Sequence, residues 1–118
     1  MKISDLRGRT KSYALKVINL YSSLSKTTVA QVIGRQLLRS GTSPSLNYGE
    51  AKSAESKSDF LHKLKICLKE LRESYNCLRI LHRAKIYKKE KEVQELISEC
   101  NELISIFVTS INTASRGK

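Results

Sequence analysis

Gln36-Leu37-Leu38-Arg39-Ser40-Gly41-Thr42-Ser43-Pro44-Ser45-Leu46-Asn47-Tyr48-Gly49-Glu50-Ala51 is the stretch that decides the fold. Small and polar residues interrupt what is otherwise a helical sequence. Buried small polar groups need partners, so such a run marks either a tight helix–helix contact or a working surface. Upstream, Val32, Ile33, Leu37 and Ser40 share one helical face. Gly41 and Pro44 should end or kink that helix, because proline lacks the amide proton and disfavours a helical residue before it. Helical character resumes through Leu46 to Ala51, which predicts one bent helix over about 29–51.

Outward from this stretch, apolar residues recur at helical spacing almost throughout. A first helix is expected over about 6–24, with Ala14, Val17, Ile18, Tyr21 and Leu24 inward and Tyr13 and Leu20 beside them. Thr27 or Thr28 can cap the second helix, and Ser56 or Ser58 the third. The third runs over about 58–84. At ~100° per residue its core face is Phe60, Leu64, Cys67, Leu68, Leu71, Tyr75, Leu78 and Leu81. Ile66, Cys77, Ile80 and Ala84 fall nearly opposite, a second apolar patch that suggests contact with another subunit. The fourth helix covers about 90–112, with a frayed tail from Thr113 to Lys118. No segment alternates at period two for long enough to make a sheet. The expectation is an all-α, antiparallel, up-and-down four-helix bundle in a single domain over 1–118.

Charge says most about function. The 118 residues carry 22 Lys plus Arg against 11 Asp plus Glu, a formal net charge of +11. The excess is uneven: residues 1–91 hold 20 basic and 7 acidic side chains, and residues 92–118 hold 2 and 4. So basic a chain attracts polyanions, of which nucleic acid is the commonest. No apolar run approaches the ~20 residues needed to span a bilayer, and no signal-peptide pattern opens the chain, so a cytosolic location without membrane partners is expected. Cys67, Cys77 and Cys100 lack Cys-x-x-Cys spacing and are read as reduced packing residues rather than zinc ligands. His62 and His82 lack an acidic or cysteine partner at ligand spacing. With no Gly-rich phosphate loop or nucleophile motif either, neither catalysis nor a cofactor, metal or small-molecule substrate is expected.

The ordered pattern Gln36-Leu37-Leu38-Arg39-Ser40-Gly41-Thr42-Ser43-x-x-x-Asn47-Tyr48-x-Glu50-Ala51, followed by Phe60-Leu61-x-Lys63-Leu64-x-Ile66 and Leu68-Lys69-Glu70-Leu71-x-Glu73-Ser74, resembles the 23S rRNA-intervening-sequence proteins over about residues 6–111. The resemblance implies a four-helix bundle that assembles as a ring-shaped homopentamer. It also implies a link to insertions in large-subunit ribosomal RNA genes. Similar basic pentamers act as accessory proteins of retroelements, engaging reverse transcriptase and RNA. No catalytic activity follows. The chain departs from the commonest pattern at Tyr48-Gly49-Glu50-Ala51, where many members have Ile-Ala-Glu-Gly, and at Pro44.

Two groups of candidate residues result. Arg39, Ser40, Ser43, Asn47 and Glu50 line one side of the second helix, and Glu70 and Glu73 on the third can receive Arg39 as a charge-assisted pair. Ser43 and Asn47 can satisfy backbone groups near Pro44. Alternatively this polar cluster is a phosphate site, with Arg39 donating and Asn47 reading a base edge. The better RNA candidate is the stripe Lys65, Lys69, Arg72, Arg79 and Arg83, continued by Lys85, Lys88, Lys89 and Lys91. Arg9, Lys11, Lys16 and Arg35 add charge. Contacts to it would be mainly to phosphates and salt-sensitive. With most aromatics on core stripes, no stacking platform is evident. Competing readings are an assembly scaffold whose charge serves solubility, and a helix-turn-helix DNA-binding protein built on Thr28 to Ala51.

Overall fold

Buried side chains recur along every helix at alternating steps of three and four, a mean of ~3.5 that keeps one seam facing its neighbours as in a coiled coil. The computed structural model describes residues 5–116. Helix α1 (Leu6–Ser22) buries Leu6, Thr10, Tyr13, Val17 and Leu20. Helix α2 (Thr28–Ala51) buries Ala30, Gly34, Leu37, Gly41, Pro44, Tyr48 and Ala51. In α3 (Lys57–Arg83) the seam is Leu64, Cys67, Leu71, Ser74, Leu78 and Leu81. In α4 (Glu90–Arg116) it is Val93, Leu96, Cys100, Leu103, Phe107 and Ser110.

Sequential helices pack side by side, α2 against α3 most extensively, and α1 meets α4 least. The result is an elongated up-and-down bundle of 49 × 23 × 19 Å. Contacts across its diagonals tie opposite helices. The Tyr13 hydroxyl of α1 shares a hydrogen bond with the Ser74 hydroxyl of α3. Tyr48 of α2 meets Phe107 of α4 edge-on, with ring centroids 5.9 Å apart.

Caps define the helix ends. Thr27 Oγ1 accepts from the Ala30 amide at 3.3 Å, and Ser56 Oγ from the Asp59 amide at 3.0 Å. Helix α3 closes in a Schellman turn, in which Ile86 N–H donates to Leu81 O (3.0 Å) and Lys85 N–H to His82 O (3.2 Å). Lys85 sits there at φ 54°, the left-handed conformation usually given to glycine.

The small residues of α2 create clearance. A Cβ on Gly41 would lie 2.8 and 2.9 Å from the two γ-methyls of Val17. One on Gly34, seven residues earlier, would lie 2.6 Å from Leu24 Cδ1. Gly34 and Gly41 therefore mark a tight α1–α2 contact, and helix continues through Pro44 rather than stopping there. Hydroxyls of Ser40 and Thr42 turn back onto the carbonyls of Gln36 (2.8 Å) and Leu38 (2.7 Å).

Several expected faces are corrected. Ile18, expected inward, is 40% exposed, and Val32 is also exposed. Phe60, Leu68 and Tyr75 are only half-buried. Cys77, expected to face another subunit, is 4% exposed inside its own bundle, at the α2–α3 contact beside Ser40. For α3 the cause is the period: a 100° wheel drifts by ~20° per heptad from a 3.5-residue seam. The expected fray after Asn112 is also corrected, since Ala114 falls in register and α4 continues to Arg116. Residues 117–118 of that expected tail lie outside the described residues.

Candidate nucleic-acid interface

Positions one step after Leu64, Leu71 and Leu78 and two steps after Cys67, Ser74 and Leu81 face solvent, and basic residues occupy all but one of them. Lys65, Arg72 and Arg79 are spaced by seven, as are Lys69, Asn76 and Arg83 one row over. All of these side chains are exposed, as are Lys85, Lys88, Lys89 and Lys91 in and after the α3–α4 turn. Among the described residues none of Lys65, Lys69, Arg72, Arg79, Arg83, Lys85, Lys88 and Lys91 forms an ion pair. Lys89 lies 3.8 Å from Glu92, a loose pair one turn along.

Five carboxylates are engaged elsewhere, in pairs between helices. Arg39 donates to Glu70 Oε1 at 3.0 Å and to Glu73, clasping α2 to α3. Lys63 Nζ donates to Glu50 Oε1 at 2.6 Å across the same pair of helices. Asn47 Nδ2 donates to the Ser43 carbonyl at 3.0 Å and to the Ser43 hydroxyl at 2.8 Å. Each polar group named from that cluster is thus partnered within α2 and α3, and two carboxylates occupy the Arg39 guanidinium. Such a clasp holds helices together and repels a phosphate.

A third clasp escaped the sequence reading. Arg9 on α1 reaches Glu99 on α4 through Nε (2.9 Å) and Nη2 (2.5 Å), and Glu102 through Nη2 (2.9 Å). These carboxylates hold Arg9 more firmly protonated than an ordinary arginine. Ninety residues separate the partners, so no local spacing signals the pair. Arg9 is therefore not part of the free positive charge.

The remaining titratable groups do not suggest chemistry. Burial pushes the Cys67 thiol up to about 12 and that of Cys100 to about 11, from an ordinary 9.0. Cys77 is raised by the same cause. Neutral buried thiols are poor nucleophiles and poor ligands. Cys100 Sγ donates to the Leu71 carbonyl at 3.2 Å, a packing role. His62 is exposed, and His82 has its Nε2 3.5 Å from Gln94 Nε2. No helix is long and apolar enough to cross a membrane among the described residues.

Of the expected subunit patch, Ile80 (47% exposed) and Ala84 remain on the surface, and Ile66 is half-buried. Larger exposed apolar side chains lie on other helices: Leu15 and Ile18 on α1, and Val29, Val32 and Leu46 on α2.

A family model described as 23S rRNA-intervening sequence protein matches residues 5–109. A crystal structure of a protein of unknown function from the S23 ribosomal protein family of Bacteroides thetaiotaomicron superposes with a TM-score of 0.83 at 30% identity. The alignment covers 90% of this chain and 97% of that one. No curated protein matches the sequence.

Proposed function

This chain belongs to the 23S rRNA-intervening sequence protein family, and on that premise we propose that it is a non-catalytic, oligomeric bundle that binds structured RNA through the outer face of α3 and the turn after it. The observation that carries the reading is the division of charge. Five carboxylates, Glu50, Glu70, Glu73, Glu99 and Glu102, are spent on clasps between helices, while a row of lysines and arginines on α3 stays without ionic partners among the described residues. Lys85 adds to this. A left-handed residue other than glycine costs ~1–2 kcal/mol, yet a cation stands there, beside Lys88 and Lys89. Contact would be mainly to phosphates, and the family's name favours RNA over other polyanions.

Copies would assemble through apolar residues left outside the bundle. Leu15 and Ile18 lie on the helix diagonal to α3, so a ring built through α1 and the outer face of α2 leaves the cationic face open. The pentamer implied by the family resemblance predicts a particle five times the 13.4 kDa chain mass. In light scattering, Leu15→Glu with Leu46→Glu should release smaller species.

Fluorescence anisotropy with a labelled RNA hairpin, titrated with salt, tests the main reading. Each phosphate contact contributes roughly 0.7–0.9 to the slope of log affinity against log salt. Reversing Lys65, Arg72 and Arg79 to Glu should abolish binding while oligomer size holds. Unchanged binding, or none by the wild type at low salt, would refute the proposal and leave an assembly scaffold.

A further inference from the structure

We infer that the middle of the α3 stripe is a pocket for an unpaired nucleobase, with Tyr75 as its flat wall and arginines holding the flanking phosphates. This rests on the RNA-binding reading and specifies its ligand. The cationic row is not uniform in kind: lysines stand at 65 and 69 and again from 85 onward, while 72, 79 and 83 are arginines. Arginine offers a planar fork that matches phosphate and stacks on aromatic rings, whereas lysine is a point charge. The arginines appear where the helix presents Tyr75.

Tyr75 is half-buried, and its ring borders two surface clefts. One is a shallow, open surface on α3 itself, bordered by Tyr75, Asn76, Arg79 and Arg83 together with Ile80 and Ala84. The other, about 280 Å³, lies where α3 meets α4, between Arg72, Tyr75, Asn76, Asn101 and Ile104. Tyr75 and Asn76 belong to both, so the two clefts are adjoining compartments. Arg79 Nη1 donates to the Tyr75 hydroxyl at 3.1 Å, and its guanidinium carbon lies 5.8 Å from the ring centroid. That pair holds the orientation of the ring.

The lining has the chemistry of a nucleotide. Three cations attract phosphate, an aromatic ring and two isoleucines offer apolar surface to the base, and two amide side chains can pair with donor and acceptor groups on a base edge. No carboxylate lines either compartment. The cleft between α1 and α4 makes the contrast: of similar size at about 360 Å³, it is lined by Glu92, Glu95 and Glu99 together with Lys16 and Lys89. A base in a duplex is stacked and cannot enter such a pocket, whereas a loop or bulge base can. The site thus selects RNA with unpaired residues.

Binding of three labelled RNAs to the intact oligomer tests this: a perfect duplex, a hairpin with a single-stranded loop, and that hairpin with abasic loop nucleotides. The loop hairpin should bind more tightly than either of the others. Tyr75→Leu keeps apolar packing and should weaken loop binding by about tenfold, the loss expected for one stacked base, without changing duplex binding. Tyr75→Phe should restore it. Asn101→Ala, on the surface of α4, should weaken loop binding alone and does not depend on how α3 tolerates substitution. Equal binding of all three RNAs, untouched by Tyr75→Leu and Asn101→Ala, would overturn the pocket and leave a phosphate-binding surface. Failure of every RNA to bind at low salt would overturn the RNA-binding reading with it.

Discussion

Gly41→Ala should destabilise the bundle, although alanine is the better helix former. Two terms oppose each other. Replacing a mid-helix glycine gains ~1 kcal/mol of propensity. The new Cβ would sit 2.8, 2.9 and 3.2 Å from Cγ2, Cγ1 and Cβ of Val17, where carbon–carbon contacts favour about 3.5–4.0 Å. Val17 is fully buried, and a β-branched side chain in a helix has essentially one rotamer. With both methyls and the Cβ in the way, no rotation clears the site, so α1 itself must retreat by about half an ångström or more. Overpacking of that kind costs ~1–3 kcal/mol, which leaves a net loss of up to ~2 kcal/mol after the propensity gain. Gly34→Ala meets first the far end of Leu24, a flexible side chain, and should be near neutral. Gly49→Ala meets nothing within 4 Å and should stabilise by ~0.5–1 kcal/mol. Urea unfolding followed by circular dichroism, at one fixed protein concentration, ranks the three. In a double-mutant cycle, Val17→Ala should absorb most of the Gly41→Ala penalty. Equal stability of Gly41→Ala and Gly49→Ala, or additivity with Val17→Ala, would show that α1 does not lie so close to α2.

Lys85→Gly should raise stability by ~1 kcal/mol, since it relieves the left-handed residue of the Schellman turn, while weakening RNA binding slightly; a thermal melt and the anisotropy titration read the two effects. Arg9→Met should cost ~1–2 kcal/mol, because a forked, partly buried pair to Glu99 closes the thinnest seam of the bundle, whereas Arg39→Met, at an exposed clasp, should cost under ~1 kcal/mol; chemical denaturation separates them. Cys67 and Cys100 should resist a thiol reagent at pH 8 in the native protein and react promptly in urea. Their thiols are raised to about 12 and 11 from 9.0, so the stability they contribute is complete below about pH 9 and is lost as pH climbs through 11 to 12. An alkaline unfolding profile flat to pH 12 would contradict this.

Helix number, order and approximate limits were legible because apolar residues recur over four long segments and Thr27 and Ser56 cap two of them. Faces were less legible. Averaging α3 on a wheel turned Cys77 outward, although it is buried, and Tyr75 fully inward, although it is half-buried. Thr10, Ser74 and Ser110 occupy seam positions that a hydrophobicity pattern leaves blank. Thr10 fits because its hydroxyl returns to the Leu6 carbonyl at 2.7 Å, and Ser74 because Tyr13 reaches it across the core. Tyr87, within a run that reads as a basic turn, is buried, and its hydroxyl donates to Glu92 at 3.1 Å. The pairing of Arg39 with Glu70 and Glu73 is what the spacing of those residues allows, while the Arg9–Glu99 clasp joins the two ends of the chain and has no local trace. For the α3 stripe, exposure could be read from the sequence, but the cleft it forms with Asn101 and Ile104 depends on where α4 lies and could not.

The Gly34–Gly41 clearance bears on how kinship should be used here. Letters in that stretch are selected by the room left between two backbones, a few tenths of an ångström at a time. Shared spelling along it speaks for the spacing of the first two rods, whereas the α3 face proposed to meet RNA lies on the far side of the molecule, away from that clearance.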